Sequence, residues 1–252
     1  MIRFVGAGPG AADLITVRGA ELLRKADVVI YAGSLVNPEL LDATKSGCEL
    51  HNSAFMTLEE VVSVMEEAER AGKMTVRLHS GDPCLYGAIR EQTDALDKRG
   101  ISWDVTPGAS SFCGAAAALG AEYTWPGVSQ SVILTRLAGR TPVPEKESLS
   151  ALAAHGASLV LFLSAGALER VQSELLTSGG YAPDTPAAIV YKATWADEKI
   201  IRCTLGTLAE AGRNAEIRKT ALILVGNFLG ASGGRSRLYA PDFSTEYRKG
   251  AS

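Results

Sequence analysis

Short apolar runs alternate with helical stripes along most of the chain, and each strand-like run in the first half ends in a turn of small residues. Residues 2–5 read as a strand, and after Gly6-Ala7-Gly8-Pro9-Gly10-Ala11 the positions Val17, Ala20, Leu23 and Ala26 recur at helical spacing behind Thr16 as N-cap. Residues 28–31 form a second run, and Asn37-Pro38 has the form of an N-cap with proline at the first helical position. Thr57-Leu58-Glu59-Glu60 is a capping box whose stripe, Leu58, Val61, Val62, Met65 and Ala68, continues to Gly72. Strands at 74–78 and 101–105 flank a helix at 88–99 that Gly100 ends. The first of these strands runs into Ser80-Gly81-Asp82-Pro83-Cys84-Leu85-Tyr86-Gly87, the second into Thr106-Pro107-Gly108-Ala109-Ser110-Ser111. The small residues 114–118 predict a close-packed helix.

Trp125-Pro126-Gly127 marks a break, after which the alternation resumes. Strands are predicted at 128–134, 158–163, 187–191, 199–204 and 221–225, and helices at 145–154 and 167–178. Thr207-Leu208-Ala209-Glu210 is a second capping box, and 139–144 has the composition of an exposed loop. Alternation in both halves predicts an α/β protein of two domains, 1–120 and 121–230, with mixed, mostly parallel sheets and ligand sites at the carboxyl ends of strands. Residues 231–252, opening with Ser232-Gly233-Gly234, are expected to be a flexible tail.

The net charge of −3 argues against generic nucleic-acid binding, which needs a strongly basic face. No apolar run approaches the length of a membrane span, and a strand one residue from the start leaves no room for a signal peptide, so a cytoplasmic protein without a membrane partner is expected. Cys48, Cys84, Cys113 and Cys203 form no CxxC pair, and His51, His79 and His155 have no ligand spacing. Neither a zinc site nor a disulfide framework is expected, and the cysteines should be reduced, several of them buried.

Gly6, Gly8 and Ala11 fit the dinucleotide fingerprint, which makes a nicotinamide or flavin oxidoreductase the alternative to weigh. Its context is missing. The second strand ends in Tyr31-Ala32-Gly33 with no acidic residue for a ribose, Pro9 removes a donor from the loop that should hold pyrophosphate, and no Gly-Lys-Ser/Thr follows. The three strand-end turns, 6–10, 80–87 and 106–111, instead form a set at one sheet edge that a single ligand can touch.

In this order, V-G-A-G-P-G, L-I-T, A-D-V-V-I-Y, S-G-D-P-x-x-Y-G and T-P-G-A-S-S resemble the tetrapyrrole methyltransferases that use S-adenosylmethionine. The resemblance runs from residue 2 to about 230. Gly33-Ser34-Leu35-Val36, His79-Ser80-Gly81-Asp82-Pro83 and Tyr191-Lys192-Ala193-Thr194-Trp195 with Asp197-Glu198-Lys199 are most similar to the branch that methylates precorrin-4 at ring carbon C-11 in cobalamin biosynthesis. A metal-free ring is taken first, with the cobalt-loaded ring of the anaerobic route as the alternative.

The resemblance implies a two-domain α/β homodimer with S-adenosylmethionine in a cleft between the domains and no protein-bound metal. It carries cofactor binding to Pro9 in the first loop, to Ser80, Gly81 and Asp82 in the central turn with Leu85 one turn on, and to Ser110 and Ser111. It carries it also to Leu163 at the end of its strand, to Ala193 after Tyr191, and to Ala221 and Leu222. Some uroporphyrinogen relatives place an aspartate just after the Tyr31 position; Ala32 and Gly33 stand here, so no catalytic base is carried over. Close backbone contact and apolar walls suit adenine and the methionine chain, and Asp82 is the candidate partner of the cofactor's positive charge. A tetrapyrrole fringed with carboxylates suits arginine, and Arg3, Arg18, Arg77, Arg90, Arg136 and Arg140 are spread through the chain, with Tyr86 and Tyr123 as candidates to stack on the ring. A non-catalytic tetrapyrrole carrier using the same residues is the remaining alternative.

Overall fold

The computed structural model describes residues 1–230, 234 and 236–250. The chain divides into two compact units, Met1–Ala115 with Lys192–Glu198, and Ala116–Tyr191 with Lys199–Ser252.

The first unit is built from β1 (Ile2–Gly6), α1 (Val17–Lys25), β2 (Val28–Tyr31), β3 (Glu49–Asn52), α2 (Leu58–Arg70), β4 (Thr75–His79), α3 (Ile89–Asp97), β5 (Trp103–Thr106) and the start of α4 (Ser111–Leu119). Its sheet has the order β3-β2-β4-β1-β5, with every pairing parallel. All five strands therefore deliver their carboxyl ends to one edge. One face packs Ile2, Phe4, Val28 and Ile30 against Val61 and Met65 of α2 and Leu96 of α3; the other packs Val5, Val29, Val76 and Leu78 against Leu23 of α1. The adjacent central strands β1 and β4 thus lead to helices on opposite faces, the arrangement that opens a crevice at the carboxyl edge of an α/β sheet. Thr16 accepts from the Gly19 N–H at 3.1 Å, and Thr57 and Glu60 complete the expected capping box.

The second unit comprises β6 (Val132–Arg136), α5 (Leu149–Ala153), β7 (Ser158–Phe162), α6 (Leu168–Thr177), β8 (Pro186–Tyr191), β9 (Lys199–Thr204), α7 (Leu208–Asn214) and β10 (Ala221–Val225). Its sheet order is β6-β7-β10-β8-β9; β6 and β7 are parallel and the other pairings antiparallel. Leu159, Leu161, Ile189 and Ile223 pack there against Leu168, Val171, Leu175 and Leu208. Both sheets are α/β, one parallel and one mixed.

Four local expectations change. β3 escapes the apolar-run criterion because Glu-Leu-His-Asn is an edge strand with two exposed and two half-buried positions. Asn37-Pro38 opens a 3₁₀ helix, Pro38–Ala43, with Asn37 accepting from the Glu39 N–H. Thr207 does not cap α7; its hydroxyl turns back to accept from the Thr204 N–H, so the box belongs to Thr204. None of the four cysteines is buried: Cys84 and Cys113 are exposed and Cys48 and Cys203 half-buried. Of the predicted tail, Ser232-Gly233 lies outside the described residues. In its described part the Arg248 guanidinium donates to the carbonyls of Leu238, Ala240 and Phe243. Among the described residues no helix is long and apolar enough to cross a membrane.

Candidate functional site

Three backbone segments meet at the carboxyl edge of the parallel sheet. A Cβ on Gly6 would lie 2.6 Å from the Gly108 Cα and 2.7 Å from the Gly81 carbonyl oxygen, and one on Gly108 would lie 2.2 Å from that same oxygen. Only hydrogen fits at these two places, so Gly6 at the end of β1 and Gly108 after β5 are required by close approach of main chain to main chain. Gly8 and Gly81 add a two-way backbone bridge, Gly8 N–H to Gly81 O at 3.2 Å and Gly81 N–H to Gly8 O at 2.8 Å. Gly81 itself sits at φ +61, a left-handed conformation that a side chain would strain.

Asp82 locks this junction. One carboxylate oxygen accepts from the Cys84 N–H at 2.8 Å, shaping its own turn, and the other accepts from the Gly108 N–H at 3.0 Å, tying the β4 turn to the β5 turn. Each oxygen retains a lone pair. Beyond Gly108, Ser110 is buried and Ser111, the first residue of α4, half-buried; the Ser110 Cα and Ser111 N lie 3.5 Å from a Cβ placed on Gly81. The first turn of α4 presents backbone N–H groups and the positive end of its dipole beside Gly81.

The β8–β9 connection, 192–198, packs on the first loop. The Ala11 N–H donates to Thr194 Oγ1 at 3.0 Å, and a Cβ on Gly10 would lie 2.2 Å from Trp195 and 2.7 Å from the Ala193 carbonyl. A Cβ on Gly114 of α4 would lie 2.8 Å from Pro9. The segment is braced by Lys192 on Asp197 at 2.6 Å and by the Thr194 N–H on Glu198 at 2.6 Å, which hold Lys192 at φ 46 and Thr194 at φ 69 on either side of Ala193. Strain of this kind persists only where the surroundings enforce it.

Of the sequence-predicted residues, Pro9, Ser80, Gly81, Asp82, Leu85, Ser110, Ser111 and Ala193 thus belong to the first unit, with Leu85 closing the Asp82 turn through its N–H on the Asp82 carbonyl. Leu163, Ala221 and Leu222 belong to the second. Leu163 is 74% exposed at φ 53, a large apolar side chain held in solvent by strained backbone at the end of β7. Ala221 and Leu222 are buried, Ala221 in the core of its unit.

The candidate ring-binding side chains sort differently. Arg77 is buried, donating to Gln92 Oε1 at 3.0 Å and to the Ile30 carbonyl at 3.2 Å; burial without a carboxylate lowers its pKa to about 10. Arg3 pairs with Asp104, Arg90 with Asp94, and Arg136 holds the carbonyls of Thr141 and Pro142. Arg18 and Arg140 are exposed. Tyr123 is core, its ring 5.0 Å from that of Phe228, whereas Tyr86 is exposed at φ 57. His79, immediately before the central turn, is buried against Phe4, and its Nε2 has no partner. Burial and the neighbouring Arg77 charge press its pKa down to about 3, so the imidazole is neutral.

Sequence reasoning quoted Thr194 and Trp195 only within a family motif, without a place in the site, and it missed the contact of Gly6 with Gly108. The signal for the last was present in the three glycine turns, but a contact between loops far apart in the chain has no local pattern.

Comparison with known proteins places this arrangement. The sequence profile of the tetrapyrrole (corrin/porphyrin) methylases matches residues 1–209. The chain is 51% identical to the cobalt-precorrin-4 C(11)-methyltransferase of Methanocaldococcus jannaschii, over 97% of this chain and 95% of that protein. It is 46% identical to the precorrin-4 C(11)-methyltransferase of a Sinorhizobium species, over 98% of each. Among solved structures, a cobalt precorrin-4 methyltransferase of cobalamin biosynthesis matches with a TM-score of 0.89 at 49% identity, over 91% of this chain and 96% of that one. The uroporphyrin-III C-methyltransferase of Thermus thermophilus, solved in complex with S-adenosylhomocysteine, matches with a TM-score of 0.78 at 27% identity, over 90% of this chain and 98% of that one. The chain belongs to the tetrapyrrole (corrin/porphyrin) methylases.

Proposed function

We propose that this protein transfers the methyl group of S-adenosylmethionine to ring carbon C-11 of the precorrin-4 macrocycle, giving precorrin-5 in cobalamin biosynthesis. The observation that carries the reading is the junction of Gly6, Gly81 and Gly108 locked by Asp82, because it presents bare backbone at the carboxyl edge of a parallel sheet. The names of relatives that are 46–51% identical over nearly the whole chain supply the substrate and the carbon. The family resemblance extends the reading to a cytoplasmic homodimer.

The residues present fit the cosubstrate. Gly81 gives close approach, the Asp82 carboxylate places negative charge near a cationic group, and the first turn of α4 with Ser110 and Ser111 suits a carboxylate. Pro9, Ser80, Leu85 and Ala193 complete the set in the first unit; the family resemblance also carries cofactor binding to Leu163, exposed at the end of β7, and to Ala221 and Leu222, which are buried. S-adenosylmethionine brings a methyl group on positive sulfur, so displacement by a nucleophilic ring carbon leaves a neutral thioether. What the chain must supply is alignment and exclusion of water, for which braced loops serve better than a strong base. This agrees with Ala32 and Gly33 at the place where some relatives carry an aspartate.

A second reading, the cobalt-loaded ring, is favoured by the name of the 51% identical relative. The test is incubation of the purified protein with methyl-labelled S-adenosylmethionine and either metal-free or cobalt-loaded precorrin-4, followed by mass and carbon NMR. One label at C-11 is expected. No transfer to either form, or a label at another carbon, contradicts the proposal.

A further inference from the structure

The turn that carries Asp82 is held at both ends. It leaves β4 at His79, and Asp82 within it accepts the Cys84 and Gly108 N–H groups. At its far end the backbone is strained: Tyr86 has φ 57, and Ala88, the residue before α3, has φ 49 and ψ 36, with no side chain capping the helix there. A Cβ on Gly87 would lie 2.1 Å from the Pro83 carbonyl oxygen, so the chain folds back tightly on itself. An L residue in the left-handed region persists only where neighbouring groups enforce it.

Gln92 supplies that enforcement. Its Nε2 donates to the Ala88 carbonyl at 3.0 Å from one turn along α3, and its Oε1 accepts from Arg77 Nε, also at 3.0 Å. Arg77 lies on β4, three residues before Ser80, and its Nη1 donates to the Ile30 carbonyl of β2 at 3.2 Å. Arg77 and Gln92 are 7% and 5% exposed, so little water reaches either bond. The path is closed, running from β4 through the guanidinium and the amide to the end of the turn, and back along the turn to β4. A guanidinium only donates and a carbonyl only accepts, so the side chain between them must do both. A primary amide does; an ionised carboxylate does not.

We propose that Gln92, anchored by Arg77, is a positioning residue for methyl transfer: it fixes the end of the turn 80–88 and with it the place of Gly81 and Asp82 against the cosubstrate. The proposal rests on the methyltransferase reading for its ligand, whereas the tie itself is a property of the fold. Being buried, Gln92 acts through the backbone it holds. Small displacements of a positioning turn are costly to alignment, which is what the chain must supply to this reaction.

Two substitutions separate positioning from support of the core. Gln92→Met removes both bonds. Gln92→Glu gives the guanidinium a carboxylate but has no proton for the Ala88 carbonyl, so it restores the core contact and not the tie. The full chain and both variants are compared by thermal denaturation, by hydrogen exchange with mass spectrometry over 80–88 and over β1, and by calorimetric titration with S-adenosylhomocysteine. In Gln92→Glu, Tm is expected to hold while exchange over 80–88 quickens about tenfold, exchange over β1 stays the same and affinity falls about tenfold, the scale of one lost hydrogen bond. Gln92→Met is expected to show the same changes with a lower Tm. Wild-type exchange in the turn of both variants overturns the tie, and faster exchange with wild-type affinity overturns the positioning role. Full rescue by Gln92→Glu overturns it as well, because the amide then serves the buried guanidinium alone. A wild type that binds no S-adenosylhomocysteine counts against the methyltransferase reading, and exchange over 80–88 still decides whether Gln92 holds the turn.

Discussion

The Asp82 carboxylate accepts the Gly108 N–H at 3.0 Å, joining two turns that are 26 residues apart in sequence and setting the spacing of the strand ends beneath them. Asp82→Ala removes this bond and the one from Cys84, each to an ionised acceptor, and is expected to lower stability by about 2–4 kcal/mol. S-adenosylhomocysteine affinity falls at least tenfold in the same protein. Asp82→Asn keeps one acceptor oxygen, so it serves one of the two N–H groups and falls between. Calorimetry and thermal denaturation of the two variants check this; wild-type affinity in Asp82→Ala rules it out.

Thr194 does the same for the first loop. Thr194→Val keeps the shape but leaves the Ala11 N–H without its acceptor, a loss of about 1–2 kcal/mol, and loosens the 192–198 segment on the first loop. Weaker S-adenosylhomocysteine binding with a slightly lower Tm is expected, and an unaltered binding isotherm would show that the segment has no part in the site.

Leu163 separates stability from function. Its left-handed backbone costs about 1–2 kcal/mol for an L side chain, and its exposure means that little packing offsets this. Leu163→Gly relieves the strain at an entropic cost of about 0.5–1 kcal/mol, so Tm is expected to hold or rise. Affinity for S-adenosylhomocysteine should nevertheless drop. A variant that loses Tm and binds normally would make Leu163 a packing residue.

The buried imidazole gives a pH signature. His79 has a folded pKa of about 3 against 6.5 for the free side chain, so between these values the unfolded chain binds a proton that the folded protein does not. Stability is therefore full above about pH 6.5 and lost as pH falls toward 3, by about 2 kcal/mol between pH 7 and pH 5. Urea unfolding across that range checks the slope, and His79→Gln should flatten it. An identical slope in the variant assigns the effect to other groups.

Much of this architecture is written locally. Thr16 and the Thr57–Glu60 box cap helices as their spacing implies, and the three turns after β1, β4 and β5 meet because parallel strands share an edge. What is not local was not legible. β3 carries its pairing in backbone hydrogen bonds to β2 rather than in an apolar pattern. Arg77 reads as one arginine among several, yet the register places it opposite Phe4 in the core. The direction of β10 depends on β8 and β7, both far back in the chain, and no periodicity of its own five buried residues encodes whether those pairings are parallel or antiparallel.

The central claim is that the cosubstrate sits where Gly6, Gly81 and Gly108 meet. Gly108→Ala tests it most directly, because the added Cβ would lie 2.2 Å from the Gly81 carbonyl and must push the two turns apart without removing any polar group. Calorimetric titration of wild type and Gly108→Ala with S-adenosylhomocysteine, with circular dichroism to confirm that the variant is folded, gives the result. A folded variant with at least tenfold weaker binding is predicted; a folded variant with wild-type affinity contradicts the account.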